Sequence, residues 1–293
     1  MTVFEKFIQQ LKQYDSLGAI QSRFQDSSGI INELGTITVL CSKKIIDPDP
    51  DNFIRYAPND ATVVGLFVKL HKGLEILFSA HNSGALDAVW PLMRINFEAY
   101  IKMRYLIREG KDAQKEYRLK SYKNRYKMYQ KYNNGGNAIT DVFLYKFLND
   151  INDEGFTIND FENNTSWKAF GGKSFEELLK EFEPVENYLS GYALESDSIH
   201  SDWGDVRQLH LQPSNGRFVV KIEPEKYHGR AILACIYLHL QATESFLDWY
   251  KNDFGAEIVF AEELITELKR VSKILMLHFI NIYKNRPDYF VQN

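Results

Sequence analysis

Along most of the chain, apolar residues return every three or four positions, the spacing that aligns side chains on one face of an α-helix. Strand-like character is confined to Arg217-Phe-Val-Val-Lys-Ile222, which reads as one short strand or an extended arm. The pattern predicts helices over 3–16, 19–42, 61–81, 84–109, 111–133, 139–151, 174–182, 184–200, 224–251 and 256–284. Prolines mark the first long break: Pro48, Pro50 and Pro58 bias their predecessors away from helix and define a loop from Lys43 to Asn59. A second loop, Asn152 to Gly172, is rich in Asn, Asp, Gly and Thr. No repeat of fixed period is present. The expected fold class is therefore all-α, a multi-helix bundle with at most one short β-strand or arm near 217–222. An N-terminal helical segment 1–60 is expected to pack on a main bundle 61–293, giving one integrated domain.

Composition narrows the class without naming a function. Of 293 residues, 44 % are hydrophobic and 25 % charged, the balance of a folded globular chain rather than a disordered one. A formal net charge of -4 sets up no overall field for nucleic acid or membrane. Cys41 and Cys235 each sit inside an apolar run, which points to buried thiols in a reducing compartment. The first fifteen residues are charged and amphipathic, with no apolar signal-peptide core, and no stretch is apolar enough to span a bilayer. A cytoplasmic protein without membrane contact is the expectation. No Walker loop, dinucleotide fingerprint or Gly-x-Ser-x-Gly elbow appears, so no cofactor is expected.

Two constellations carry possible chemistry. The helix 84–109 is apolar on nearly all sides, which predicts a central position; Asp87, Arg94, Glu98 and Tyr105 form one polar seam along it. Pro91 leaves the carbonyl of Asp87 without its helical donor, one turn before Arg94. Arg94 and Glu98 can serve a site or simply neutralise one another, since buried charges must be paired. The second constellation is Tyr192, Ser196 and His200, at i, i+4 and i+8 down one side of a predicted helix. A histidine at a helix C-terminus titrates near neutrality and is suited to general acid or base work; it can equally just close the helix.

The Arg-x-x-x-Glu helix with its following Tyr105-Leu106, together with the later Tyr-x-x-x-Ser-x-x-x-His, resembles a large bacterial family of all-helical proteins, domain-of-unknown-function family 5677. The resemblance covers roughly residues 60–210 and implies an all-helical fold, with no activity attached. The arrangement is also distantly similar to the HEPN helical superfamily, many of whose members are metal-independent ribonucleases or toxins of defence systems. HEPN proteins carry an Arg separated by four to six residues from a His on one helix; the only close pair here, Arg207-Gln-Leu-His210, has a shorter gap.

Charge is segregated even though the total is small. From Arg104 to Tyr132 the chain holds ten Lys or Arg and three acids, leaving 25 basic against 36 acidic residues elsewhere. On one continuous helix, Lys120, Lys123, Lys127 and Lys131 share a face, and Arg118, Tyr122, Arg125, Tyr129 and Tyr132 share another. Lysines beside tyrosines suit phosphate contacts and base stacking, so Lys120, Lys123, Arg125, Lys127 and Lys131 are the expected nucleic-acid contacts. The plainer alternative packs the tyrosines on the bundle and leaves the lysines solvated.

Metal-like patterns are weak. Asp150 to Glu162 imitates a calcium loop but places its last acid one position late, and Glu225-Lys-Tyr-His228 with Asp197, His200, Glu75 and Glu98 only caricatures a di-iron bundle. No metal is expected. Two functional readings result. In the first, the protein is a HEPN-like RNA-binding or RNA-cleaving protein of stress or phage defence. There His200 takes the 2'-hydroxyl proton, Arg94 stabilises the phosphorane, Glu98 orients Arg94, and Tyr192 and Ser196 position substrate. In the second, it is a non-catalytic interaction module whose polar network is structural. RNA, a second copy of the chain or a partner protein are the expected partners.

Overall fold

The computed structural model describes residues 2–24, 26–47, 54–83, 85, 88–164, 166–184, 207, 211–214, 217–220, 229–255 and 258–285. Among these, the helices are α1 (Val3–Lys12), α2 (Leu17–Arg23), α3 (Ser27–Ile46), α4 (Asp60–Asn82), α5 (Val89–Glu109), α6 (Lys111–Ser121), α7 (Lys123–Tyr132), α8 (Ala138–Asp153), α9 (Ile158–Glu162), α10 (Phe175–Lys180), α11 (Gly229–Phe254) and α12 (Val259–Asn285). The protein is all-α, with one small antiparallel hairpin of β1 (Leu211–Ser214) and β2 (Arg217–Val220). The extended stretch at 217–220 thus has a partner strand. Pro213, which cannot donate to a ladder, disguised that partner, although Asn215-Gly216 between the strands is a two-residue hairpin sequence.

Capping chemistry moves several helix boundaries away from the periodicity. The helix expected over 19–42 divides into α2 and α3, because Asp26 accepts hydrogen bonds from the Ser28 and Gly29 amides and starts a new helix. The helix expected over 111–133 divides at Tyr122, whose amide turns back to the Leu119 and Lys120 carbonyls. The helix expected over 84–109 begins at Val89. Pro91 therefore lies in the first turn of α5, where amides have no intrahelical acceptor, and its missing N–H costs nothing there. Gly110, at φ 76°, reverses the chain between α5 and α6, a conformation that favours glycine. The helix expected over 184–200 lies outside the described residues.

The main core gathers α3, α4, α5, α11 and α12, and the buried Ile8, Leu11 and Tyr14 of the N-terminal stretch join it. Arg270 of α12 holds that stretch by donating to the Leu11 and Tyr14 carbonyls, each at 2.7 Å. Cys41 and Cys235 are buried free thiols, and burial pushes Cys41 up to about 12. A second, smaller aromatic core sits apart: Tyr122, Tyr126, Phe147, Ile151, Phe156 and Phe161, flanked by Tyr129 and Trp167. Among the described residues, no helix is long and apolar enough to cross a membrane.

Candidate functional site

Helix α5 carries the polar residues that the sequence singles out, and its neighbours decide what each one does. Arg94 is half-buried on the N-terminal half of α5. Glu98, expected to orient Arg94, gives its carboxylate to the Lys102 ammonium one turn further on. That carboxylate also helps raise the phenol of Tyr117 on α6, an effect second to burial. Tyr105 is buried with its ring edge-on to Phe170, 5.5 Å between centroids. Phe170 itself adopts φ 60°, an uncommon conformation for a bulky residue, and by doing so places its ring against Tyr105 and Tyr117, with the Lys102 ammonium 5.8 Å from the ring centre. Asp87, Tyr192, Ser196 and His200 lie outside the described residues, as do Glu225, His228, Asp197 and His210.

The densest polar knot is one that the seam argument missed. Tyr100, Arg104 and Arg108 follow at i, i+4 and i+8 on α5 and meet the segment after α10. The Tyr100 hydroxyl donates to Glu183 Oε1 at 3.1 Å; Arg104 Nη1 donates to the same oxygen at 3.1 Å, to the Tyr100 hydroxyl at 2.9 Å and to the Phe182 carbonyl at 3.3 Å. Arg108 pairs with Glu181 at 2.5 Å and stacks on Phe182, and Lys173 takes the other oxygen of Glu181. Burial holds the Tyr100 phenol well above its ordinary range, so it stays a donor. The signal was present as a four-residue spacing, but charge counting filed Arg104 and Arg108 with the basic stretch. Replacing Arg104 by Met removes three hydrogen bonds at a partly buried position, for an expected loss of about 1–3 kcal/mol. Arg104→Lys recovers little, because one ammonium cannot reproduce the guanidinium fork. Urea unfolding midpoints of the two variants check this.

Six of the ten cations between 104 and 132 are spent inside the protein. Besides Arg104 and Arg108, Lys111 pairs with Asp60 and Asp253, Arg118 with Glu154, Lys120 with Glu116, and Arg125 with Asp150. Lys120 departs most from expectation: its side chain is only 12 % exposed, and it also donates to the Lys168 carbonyl at 2.7 Å. The break at Tyr122 is the reason, since it separates Lys120 on α6 from Lys123, Lys127 and Lys131 on α7. Arg125 remains 55 % exposed above the Tyr122 ring despite its ion pair. Among the described residues, Lys123, Lys127 and Lys131 take no carboxylate; Lys127 and Lys131 are exposed and Lys123 half-buried.

Tyr122, Tyr126 and Tyr129 of this stretch belong to the small core, while Tyr105 and Tyr117 belong to the main one. Tyr126 stacks on Phe161 at 5.4 Å and on Trp167 at 5.6 Å, and the Tyr122 hydroxyl reaches Glu154 at 2.5 Å. The calcium-like acids are likewise spoken for: Asp150 and Glu154 hold arginines, and Asp160 accepts from the Thr157 amide and hydroxyl at the start of α9. Glu75 faces His71, 3.6 Å from Nε2, whose Nδ1 meets the Ser42 hydroxyl at 2.8 Å inside the main core.

Against known proteins, the model of a family described as a family of unknown function, DUF5677, matches residues 60–218, just over half the chain and including α4 to α10, β1 and the first half of β2. Neither a curated protein nor a solved structure matches the chain.

Proposed function

The chain belongs to the family of unknown function DUF5677, and from that premise we propose that it is an RNA-binding helical protein whose contact edge is α7. One observation carries this reading: Lys123, Lys127 and Lys131, one turn apart on α7, take no carboxylate among the described residues while six neighbouring cations are paired, and Lys131 only rests over the Tyr132 ring. A row of ammonium groups at that spacing suits successive phosphates, and Arg125 stands beside it. Lys120 is removed from the expected set because it holds the fold. Base stacking by Tyr122 is removed as well, since its ring is buried.

The finer reading is metal-independent cleavage of the HEPN kind in stress or phage defence, with His200 as general base and Arg94 opposing the charge of the phosphorane. Its support is the sequence resemblance. The experiment is titration of a labelled single-stranded RNA across a salt series, with the RNA run on a gel afterwards, for wild type and for Lys123→Glu/Lys127→Glu/Lys131→Glu. Losing three phosphate contacts is expected to flatten the slope of log K against log salt by about 2. Unchanged slope in a folded variant, or no binding by wild type at low salt, ends the RNA reading. Cleavage that disappears in His200→Ala supports the enzyme, and binding without cleavage leaves an RNA-binding protein.

A specific observation favours a second reading, a non-catalytic interaction module. On α8, Ile139, Val142 and Phe143 form a stripe that is 56 to 69 % exposed, more apolar surface than a solitary helix face normally shows to water. A protein that binds no RNA yet captures a partner through this stripe would fit that reading.

A further inference from the structure

Helix α8 packs on α7 and turns Phe147 and Ile151 into the small aromatic core. Its outer face is apolar as well, where a surface helix ordinarily carries charge. Ile139, Val142, Phe143, Tyr145 and Leu148 are all exposed, Tyr145 by 71 % and Leu148 by 39 %.

The order of these residues restricts what can cover them. Ala138, Val142, Tyr145 and Asn149, all exposed, follow at steps of four, three and four and so run in one line down the outer face, the spacing of a two-helix seam. Ile139 and Phe143 flank that line on one side and Leu148 on the other. The line is its own complement when reversed. An antiparallel second copy sets Val142 against Tyr145 and Ala138 against Asn149, a smaller side chain opposite a larger one in each layer. A parallel copy stacks Tyr145 on Tyr145 and aligns the two helix dipoles unfavourably.

Charge and area favour the same occupant. From 138 to 149 the helix carries one acid, Asp141, and one cation, Lys146, both exposed, so a copy of this surface meets no net charge. The lysine row of α7 would repel its own copy. The five apolar side chains leave on the order of 600 Å² in water, against about 800 Å² that each partner gives to a standard interface. Ala138, Asn149 and the Lys146 stem bring the contact close to that size.

We propose that α8 is a homodimer interface, with two copies packing α8 on α8 antiparallel about a two-fold axis that passes between Phe143 and Leu144. The same patch serves both copies, so association closes at two. The inference names an occupant for the stripe on which the interaction-module reading stands, and it does not depend on the lysines of α7.

The test is sedimentation equilibrium of the full-length protein from about 1 to about 200 µM, the range in which a contact of this size associates. Wild type is expected to rise from 34.1 kDa to twice that mass. Val142→Glu/Tyr145→Glu is expected to stay at 34.1 kDa, because four carboxylates then meet in the seam. Register is read separately by disulfide cross-linking with copper phenanthroline, so the test stands even if the double variant fails to fold. Ala138→Cys mixed with Asn149→Cys is expected to give at least about tenfold more linked dimer than either protein alone, since like positions lie on opposite sides of the axis, about 16 Å apart along it. Cys41 and Cys235 are buried and do not compete. Mass that grows beyond two copies, a double variant that dimerises as wild type does, or single-cysteine proteins that link as readily as the mixture overturns the inference. A monomer at every concentration overturns it too, yet leaves the interaction-module reading standing with a different protein on the stripe.

Discussion

Acidification from pH 7.5 to 4.5 is expected to cost the wild-type protein about 2–3 kcal/mol more than it costs His239→Leu. His239 lies in α11, 2 % exposed, parallel to the Phe67 ring at 5.9 Å, and neither of its ring nitrogens has a hydrogen-bond partner. Burial holds its pKa down to about 3 from the ordinary 6.5, with a smaller contribution from His71. As pH falls below 6.5 the unfolded chain takes up a proton at this position and the folded chain does not, so stability declines with each step toward 3 and is unaffected above 6.5. His71 adds in the same direction, because burial lowers it more than Glu75 raises it, with Lys43 and Lys72 also opposing its protonation. Leucine at 239 fits an apolar surrounding and forfeits no hydrogen bond, so it is expected to be neutral or stabilising at pH 7.5. Urea midpoints of both proteins at the two pH values decide the matter, and equal acid losses would falsify the assignment to His239.

Gly35→Val is expected to destabilise the fold by about 3 kcal/mol or more, enough to prevent accumulation of folded protein at moderate temperature. Gly35 is buried in α3 where that helix meets α4. A Cβ at this position would stand 1.6 Å from the Cζ of Phe78, inside the space that the ring fills. Phe78 belongs to α4 and is 8 % exposed, so its ring has nowhere to retreat without separating the two helices. Gly65→Ala, on the outer side of α4 where a new Cβ meets nothing within 4 Å, is the control and is expected to be neutral or slightly stabilising. Thermal denaturation followed by circular dichroism separates the two, and a Gly35→Val protein that melts with wild type would remove the close-approach argument.

Much of the architecture was legible in the chain because helical periodicity records burial directly. α4, α8 and α12 start and end within three residues of the expected limits, since each presents an unbroken apolar face. Boundaries failed where local hydrogen bonding overrode periodicity, at the Asp26 cap and the Tyr122 turn. The expected site fared unevenly for a related reason. A helical wheel shows which residues share a face but not what stands opposite. It placed Glu98 beside Arg94, whereas Lys102 claims Glu98, and it could not show that Glu183 waits across from Arg104.

The sequence by itself determined the all-α class, the buried cysteines, the central apolar helix and the basic stretch, because each is written in composition or in spacing along one element. Only the tertiary structure decided which cations remain available on α7, which histidine is sealed away from water, and that Asn96 lies buried under Gly73. Those outcomes depend on pairings between residues far apart in the chain. Desolvation and ion pairing act through space, and periodicity along one helix carries no record of its neighbours.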